Sequence, residues 1–344
     1  MVLINGYFRN QPITGQQRYA TEMADRLLQR VDGVREARPG RWASGNRYLE
    51  WAELQMRIPR LAKAEPVLSL TSRTPVAARK QVVTIHDLFP LTNPEWFRRN
   101  YVTLHRRLIR ANLSRADAIV TVSEPVRDAI VSIVGHRVRV VVAPNAPTPR
   151  LTRTHGSVPP FDGLANSRYF LSVGSVEPRK NMTRLIEAYL TLPRALRQEA
   201  PLVVVGGANP VFRGVISAAG SDDTVRLLGR VSDAELAWLY SAAAAFVTLS
   251  LAEGFGIPIV EAAAAGCPAF VLSDIPAYRW LTKGTTPIFV DPLDRDSIAA
   301  GLVAAISGHE FGSFSDLAER FSWDQSADVV ADLLHEVERA TSRS

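Results

Sequence analysis

Apolar residues follow two alternating patterns along this chain: short unbroken runs, and longer stretches in which they recur at helical spacing. The runs at 2–5, 82–86, 118–122 and 138–142 read as buried strands. A loop over 9–15 leads from the first of them into a helix over 16–31, with Ala20, Met23, Leu27 and Val31 on one face. Ser123 is placed to cap a helix that runs through Val134, with Pro125 in its first turn. After Val142 the pattern lapses. Pro147, Pro149, Gly156, Pro159, Pro160 and Gly163 punctuate a stretch without periodicity, which reads as a linker. The alternation then restarts, with strands at 169–173, 202–205, 225–228, 245–249, 269–272 and 287–290, and a last helix from about Trp323.

Strand, loop and helix in repetition predict an α/β protein with mostly parallel sheets covered by helices on both faces. At 344 residues the chain exceeds a comfortable single core. The expectation is two Rossmann-like doubly wound domains facing across a cleft. The first spans 1–148 with the last helix, 323–344, added to it; the linker is 149–166, and the second domain 167–322. In such sheets ligands sit beyond the carboxyl ends of the strands, where loops meet helix N-termini.

Four of those loops carry candidate chemistry. Glu253-Gly-Phe-Gly-Ile-Pro-Ile-Val-Glu261 follows a strand, with Pro258 suited to a first helical turn and Gly266 to a helix end. Gly254 and Gly256 let the backbone approach a ligand, and the amides near Ile257 favour negative charge. Glu253 and Glu261 can accept hydrogen bonds from the vicinal hydroxyls of a sugar; the plainer alternative is a loop acid and a helix-dipole partner. Gly174 is followed by Arg179 and Lys180 before a helix, a fork and a point charge that suit a diphosphate, or else two solvated cations. Gly15, in Thr-Gly-Gln-Gln-Arg, opens the first helix, as a phosphate contact or a simple turn. His86, at the end of the strand Thr-Ile-His-Asp-Leu, is either structural or turned into the cleft.

Composition adds less. Apolar residues at 47% and charged residues at 22% are ordinary for a globular protein. The net charge of +6 hides an asymmetry: residues 1–150 hold 24 Lys and Arg against 12 acids, the remainder 16 against 22. One cysteine, Cys267, leaves no internal disulfide and no multi-cysteine metal site. No apolar run is long enough to span a membrane and the N-terminus lacks a signal-peptide pattern, so the expectation is a cytoplasmic protein, either free or peripheral at the membrane's inner face. Arg98, Arg99, Arg106, Arg107 and Arg110 share a predicted helical stretch with Trp96, Phe97, Leu104 and Leu108; this is a solvated basic face or a seat for an anionic membrane presenting a lipid-linked acceptor. Asp294-Arg-Asp296 matches a metal-binding Asp-x-Asp pattern in form, but it precedes a helix, and capping is the expected role.

These motifs carry a resemblance. The Gly-Phe-Gly between two glutamates, Val-Gly-Ser-Val-Glu-Pro-Arg-Lys-Asn before a helix and Gly229-Arg-Val-Ser-Asp-Ala-Glu235-Leu are similar to those of the retaining glycosyltransferases of family 4, which adopt the GT-B fold. Thr-Gly-Gln-Gln-Arg-Tyr and Ile-His-Asp-Leu resemble the acceptor half of that family, in the variant found in bacterial enzymes that build surface polysaccharides. The resemblance implies a nucleotide-diphosphate sugar as donor, GDP-mannose by analogy, and a saccharide or lipid-linked saccharide as acceptor. It implies no cofactor, no metal and no nucleic-acid partner, and retention of anomeric configuration by same-face attack.

Residue by residue, it implies that Arg179 and Lys180 hold the diphosphate beside Gly174, and that Glu261 takes the ribose. Glu253 takes hydroxyls of the transferred sugar, aided by the amides of Phe255, Gly256 and Ile257. Arg230 and Val231 border the base, His86 sits at the reaction centre, and Gly15 closes on the diphosphate. The chain departs from the family at Thr282-Lys-Gly-Thr-Thr286, where Glu-Ala-Gly is usual, and in its short first half. A dehydrogenase is disfavoured, since Asn5-Gly-Tyr-Phe-Arg-Asn stands where Gly-x-Gly-x-x-Gly is needed. No recognition motif for nucleic acid accompanies the basic half. A sugar-nucleotide epimerase or a non-catalytic binding protein of the same fold is the alternative.

Overall fold

Among the described residues, twelve short strands sort into two sheets, and every pairing within them is parallel. A computed structural model describes residues 1–40, 46–149, 161, 164, 168–175, 177–206 and 222–341. The chain divides into two compact units, Met1–Asn145 with Ser322–Ser344, and Ala146–Phe321. Most of the predicted linker, including Gly156, Pro159, Pro160 and Gly163, lies outside the described residues.

The first unit holds β1 (Val2–Asn5), β2 (Val34–Ala37), β3 (Val67–Ser69), β4 (Gln81–Ile85), β5 (Ala118–Thr121) and β6 (Arg139–Val142) in the order β2-β1-β3-β4-β5-β6. Strands at the centre of such a sheet are covered on both faces, so β1, β4 and β5 are buried throughout and read as unbroken apolar or neutral runs. The helix Gly15–Arg30 buries Tyr19, Ala20, Met23, Ala24 and Leu27 along one stripe. The last helix, Trp323–Thr341, belongs to this unit: Arg26 and Arg30 pair with Asp324, Arg30 also with Asp328, and the Tyr19 ring meets Trp323 edge-on at 5.9 Å.

The second unit holds β7 (Phe170–Val173), β8 (Leu202–Val205), β9 (Val225–Gly229), β10 (Ala245–Thr248), β11 (Phe270–Ser273) and β12 (Ile288–Val290) in the order β12-β11-β10-β7-β8-β9. One face packs the helices Met182–Leu190 and Arg295–Ile306 through Leu185, Ile186, Tyr189, Ile298 and Leu302. Asp294 caps the latter helix, its Oδ1 accepting from the amide of Asp296 at 2.9 Å, as its position in the sequence leads one to expect.

Ser123 likewise caps the helix Glu124–Val134, its hydroxyl accepting from the Val126 amide, with Pro125 in the first turn. Ser123→Ala removes that acceptor and is expected to cost about 1 kcal/mol. The loss reads as a lower urea midpoint at unchanged slope; an unmoved midpoint would show that the bond does not hold this helix.

Candidate active site

The order of the second sheet reverses between β7 and β10: β8 and β9 lie to one side, β11 and β12 to the other. At such a switch point the loops leaving the two strands diverge and open a crevice. The loop after β7 brings Gly174, Arg179 and Lys180; the loop after β10 brings Ser250, Glu253, Phe255 and Gly256. Sequence spacing had set Arg179 and Lys180 directly at a helix start. Instead they lie in a 3-10 turn, Pro178–Lys180, set off from the helix Met182–Leu190 by Asn181 in the left-handed conformation (φ 55°). Asn181 is tied down by a 2.6 Å bond from its Nδ2 to the Pro292 carbonyl.

The two loops meet in one ion cluster. Lys180 Nζ donates to Glu253 Oε1 at 2.6 Å, and Arg179 Nη1 donates to Oε2 and to the Ala252 carbonyl. Arg179 Nη2 reaches Glu177 at 3.0 Å, while the Leu251 amide donates to the Arg179 carbonyl at 2.8 Å. Ser250 Oγ completes the set with a 2.8 Å bond to Glu253 Oε1. Only 10% of the Glu253 side chain is exposed. Burial alone opposes its ionisation, but the charges of Lys180 and Arg179 prevail and hold its pKa down at about 2. The sequence assigned the cations and this acid to different parts of a ligand; here they neutralise each other.

Glycines permit this closeness. Gly206, at the end of β8, has φ 145°, and a Cβ there would lie 1.9 Å from the Gly174 carbonyl oxygen. The helix Ile257–Ala265 starts from Gly256 (φ 115°) without a side-chain cap and ends at Gly266 in the left-handed region. The Phe255 ring is buried and packs against Trp280 and Phe321. Glu261, inside that helix, is buried; its carboxylate accepts from the Thr148 hydroxyl and, at 3.4 Å, from Tyr240. Arg230, after Gly229 (φ 67°), is exposed and Val231 half-buried, just before a Ser232–Glu235 capping box. Nothing in the sequence had singled out Gly206, Ser250, Thr148, Tyr240 or Tyr278. The capping box alone was readable, from its Ser-x-x-Glu spacing.

In the first unit, Gly15 is exposed at the start of its helix. His86 is buried, its ring edge-on to Tyr19 at 4.9 Å. Nε2 lies 3.0 Å from the Leu70 carbonyl, which only accepts, so Nε2 carries the hydrogen. Burial lowers the His86 pKa to about 4 against that bond, which leaves a neutral imidazole at pH 7. Arg98, Arg99, Arg107 and Arg110 are exposed on or beside the helix Arg99–Arg115, and Arg106 is half-buried. Leu104 and Tyr101 point outward with them, but Leu108, grouped with that surface in the sequence, packs into the core. Among the described residues no group of three or more His, Cys, Asp and Glu is placed to hold a metal ion.

Two Rossmann-like parallel sheets, one with a charged cluster at its switch point, define the GT-B class of glycosyltransferase fold. The likeness extends to solved structures: sucrose-phosphate synthase from Thermosynechococcus elongatus aligns with a TM-score of 0.74 at 18% identity, over 98% of this chain and 99% of that one. The sequence goes further. The family described as glycosyl transferases group 1 matches residues 162–336. O-antigen chain mannosyltransferase B of Escherichia coli is 30% identical over 268 residues, 73% of this chain and 68% of that protein. O-antigen chain mannosyltransferase RfbU of Salmonella typhimurium is 28% identical over 331 residues, 92% and 86% of the two chains. This chain belongs to the glycosyl transferases group 1 family.

Because the folded pKa of Glu253 lies below the ordinary 4.5, the ionised cluster contributes its full stability above that pH and loses it as pH falls towards 2. Glu253→Gln leaves Arg179 and Lys180 facing each other, so it is expected to lower the thermal midpoint at neutral pH. The gap to the wild type should close on acidification. A gap that stays constant from pH 6 to pH 3 would remove the ion pairs from the account.

Proposed function

We propose that this protein transfers a mannosyl group from GDP-mannose to a saccharide or lipid-linked saccharide, with retention of configuration and without a metal. The observation that carries this reading is the Arg179–Lys180–Glu253 cluster at the β7/β10 switch point. The names of the two bacterial relatives support mannose as the transferred sugar, and GDP is a common carrier of activated mannose. The donor's diphosphate is a stronger anion than one carboxylate and takes over Arg179 and Lys180. Glu253, displaced from them, is left to accept hydrogen bonds from hydroxyls of the sugar. As the bond from the anomeric carbon to the diphosphate breaks, negative charge grows on the leaving oxygen. The two cations and the amides at Gly256 and Ile257 stabilise it electrostatically. Glu261 takes the ribose hydroxyls, in exchange for or beside Thr148. Family membership favours transfer over the epimerase and the non-catalytic reading.

With GDP-mannose and membrane extracts or synthetic polyprenyl-linked saccharides as acceptors, acceptor-dependent GDP release is expected, unchanged by EDTA. Lys180→Ala is expected to cut it by about 100-fold or more with folding intact. GDP release that needs no acceptor, or a Lys180→Ala variant as fast as the wild type, would overturn this reading.

Acceptor supply suggests a second element. Among the described residues no helix is long and apolar enough to cross a membrane. We propose that Arg98, Arg99, Arg107 and Arg110, with Arg106 behind them, hold the protein at an anionic bilayer where lipid-linked acceptors reside. Pelleting with phosphatidylglycerol vesicles is expected at low salt and lost at about 0.5 M salt, where screening is nearly complete over a few ångströms. Equal pelleting with neutral vesicles would count against it.

A further inference from the structure

Beneath the ion cluster lies a group of hydroxyls that the assignments above do not use. Tyr278, in the first turn of the short helix Pro276–Leu281, is 1% exposed, and Ser250 is fully buried. Tyr278 Oη lies 3.1 Å from Thr248 Oγ1, at the end of β10, and the Ser250 hydroxyl is a further polar neighbour of the phenol. Ser250 in turn bonds Glu253 at 2.8 Å.

Valence fixes the direction of the bond to Glu253. A carboxylate only accepts, so the Ser250 proton is committed to Glu253. That leaves the Ser250 oxygen as an acceptor for the Tyr278 proton, and the Tyr278 oxygen as an acceptor for Thr248. Each hydroxyl has a single proton, and in this arrangement each proton points towards the carboxylate. Such a one-way chain polarises along its length and strengthens its last bond. The phenol stays protonated: burial pushes its pKa well above the ordinary range, the Glu253 charge pushes the same way, and the neighbouring hydroxyls of Ser250 and Thr248 do not undo this.

The ring has a second contact. A Cβ on Gly256 would come within 2.9 Å of Tyr278 Cε1, and within 3.3 Å of Ile259 and Leu281 side-chain carbons. The ring therefore forms the floor on which the glycine turn rests, so Tyr278 touches both halves of the Glu253-Gly-Phe-Gly loop.

We propose that Tyr278 is a positioning residue for sugar transfer: through Ser250 it fixes the Glu253 carboxylate, and through its ring it fixes the Gly256 turn. The inference rests on the role of Glu253 at the transferred sugar stated above. When a donor diphosphate claims Arg179 and Lys180, Glu253 loses two of its partners. The bond from Ser250 is the one that persists and aims the carboxylate at the sugar.

The test compares full-length wild type with Ser250→Ala, Tyr278→Phe, the double variant, Thr248→Val and Glu253→Gln, by calorimetric binding of GDP and GDP-mannose. UDP and UDP-glucose serve as the probe pair if the wild type prefers them. The readout is the ratio of the two dissociation constants, which reports the grip on the sugar and is insensitive to a general loss of stability. Ser250→Ala is expected to lower the preference for the sugar nucleotide about tenfold, the value of one hydrogen bond to a charged group. Tyr278→Phe keeps the ring and should lower it by a smaller factor, and Thr248→Val by less again. The double variant should be no worse than Ser250→Ala alone, because both act through one bond. Binding of the free nucleotide should be unchanged or tighter in each. A wild-type ratio in Tyr278→Phe, or full additivity in the double variant, overturns the positioning role even if Glu253→Gln abolishes the preference. If Glu253→Gln itself leaves the ratio unchanged, the assignment of Glu253 to the sugar fails, and this inference with it.

Discussion

One carboxylate, Glu253, sits between two cations that come from a different strand's loop, and the geometry of the second unit's site follows from that. Buried ion pairs are poor sources of stability, since desolvation offsets most of the attraction, whereas removing one partner costs about 3–5 kcal/mol. An apolar plug would close these loops as well. What the pair achieves instead is to hold Arg179 and Lys180 convergent and largely buried beside one carboxylate. Under the function proposed above, binding a diphosphate is an exchange of anions on a preformed cation pair, not the assembly of one. Such preorganisation is what electrostatic stabilisation of a leaving group requires.

That pairing depends on topology. Arg179 and Glu253 are 74 positions apart and meet because β7 and β10 are adjacent at the point where the strand order reverses. The first sheet repeats the device between β1 and β3, where Asn5 donates to Ser69 and to the Arg73 carbonyl. Close backbone approach finishes the arrangement, with Gly206 against Gly174 and Gly256 over Tyr278.

Much of this was legible in the residues, for reasons that can be named. Central strands such as β4, β5 and β8 are buried on both faces and so appear as apolar runs. Ser123, Asp294 and Gly266 mark helix ends by local chemistry, which needs no tertiary information. By contrast, β2 is the edge strand Val34-Arg-Glu-Ala with mixed exposure, and β3 is three residues long, so neither gives a period. The helix Arg47–Ala62 carries Pro59 in its last turn and shows Tyr48 and Met56 to solvent, which blurs its stripe. The site was legible as a set of residue types but not as a set of pairs. No local pattern tells that Glu253 neutralises Arg179, that Thr148 reaches Glu261 across 113 positions, or that a tyrosine underlies Gly256.

The charge asymmetry of the chain takes on a different meaning once pairs are known. In the first unit Arg9, Arg26, Arg30, Arg35, Arg57 and Arg73 all have carboxylate partners, on Asp25, Glu36, Glu22, Asp324, Asp328, Glu65, Glu53 and Glu50. Among the described residues, Arg98, Arg99, Arg106, Arg107 and Arg110 make no ion pair. Arg60, Lys63, Arg79, Lys80 and Arg137 likewise make no ion pair among the described residues, but five of the uncompensated cations fall close together on one helix and its N-cap. Arginine richness from base composition alone would place cations without regard to their neighbours. Here many cations of the unit have acidic partners, whereas those on this helical face have none. A field of one sign over one face attracts an extended anionic surface far better than the same charge dispersed, and it does so without specifying any small ligand.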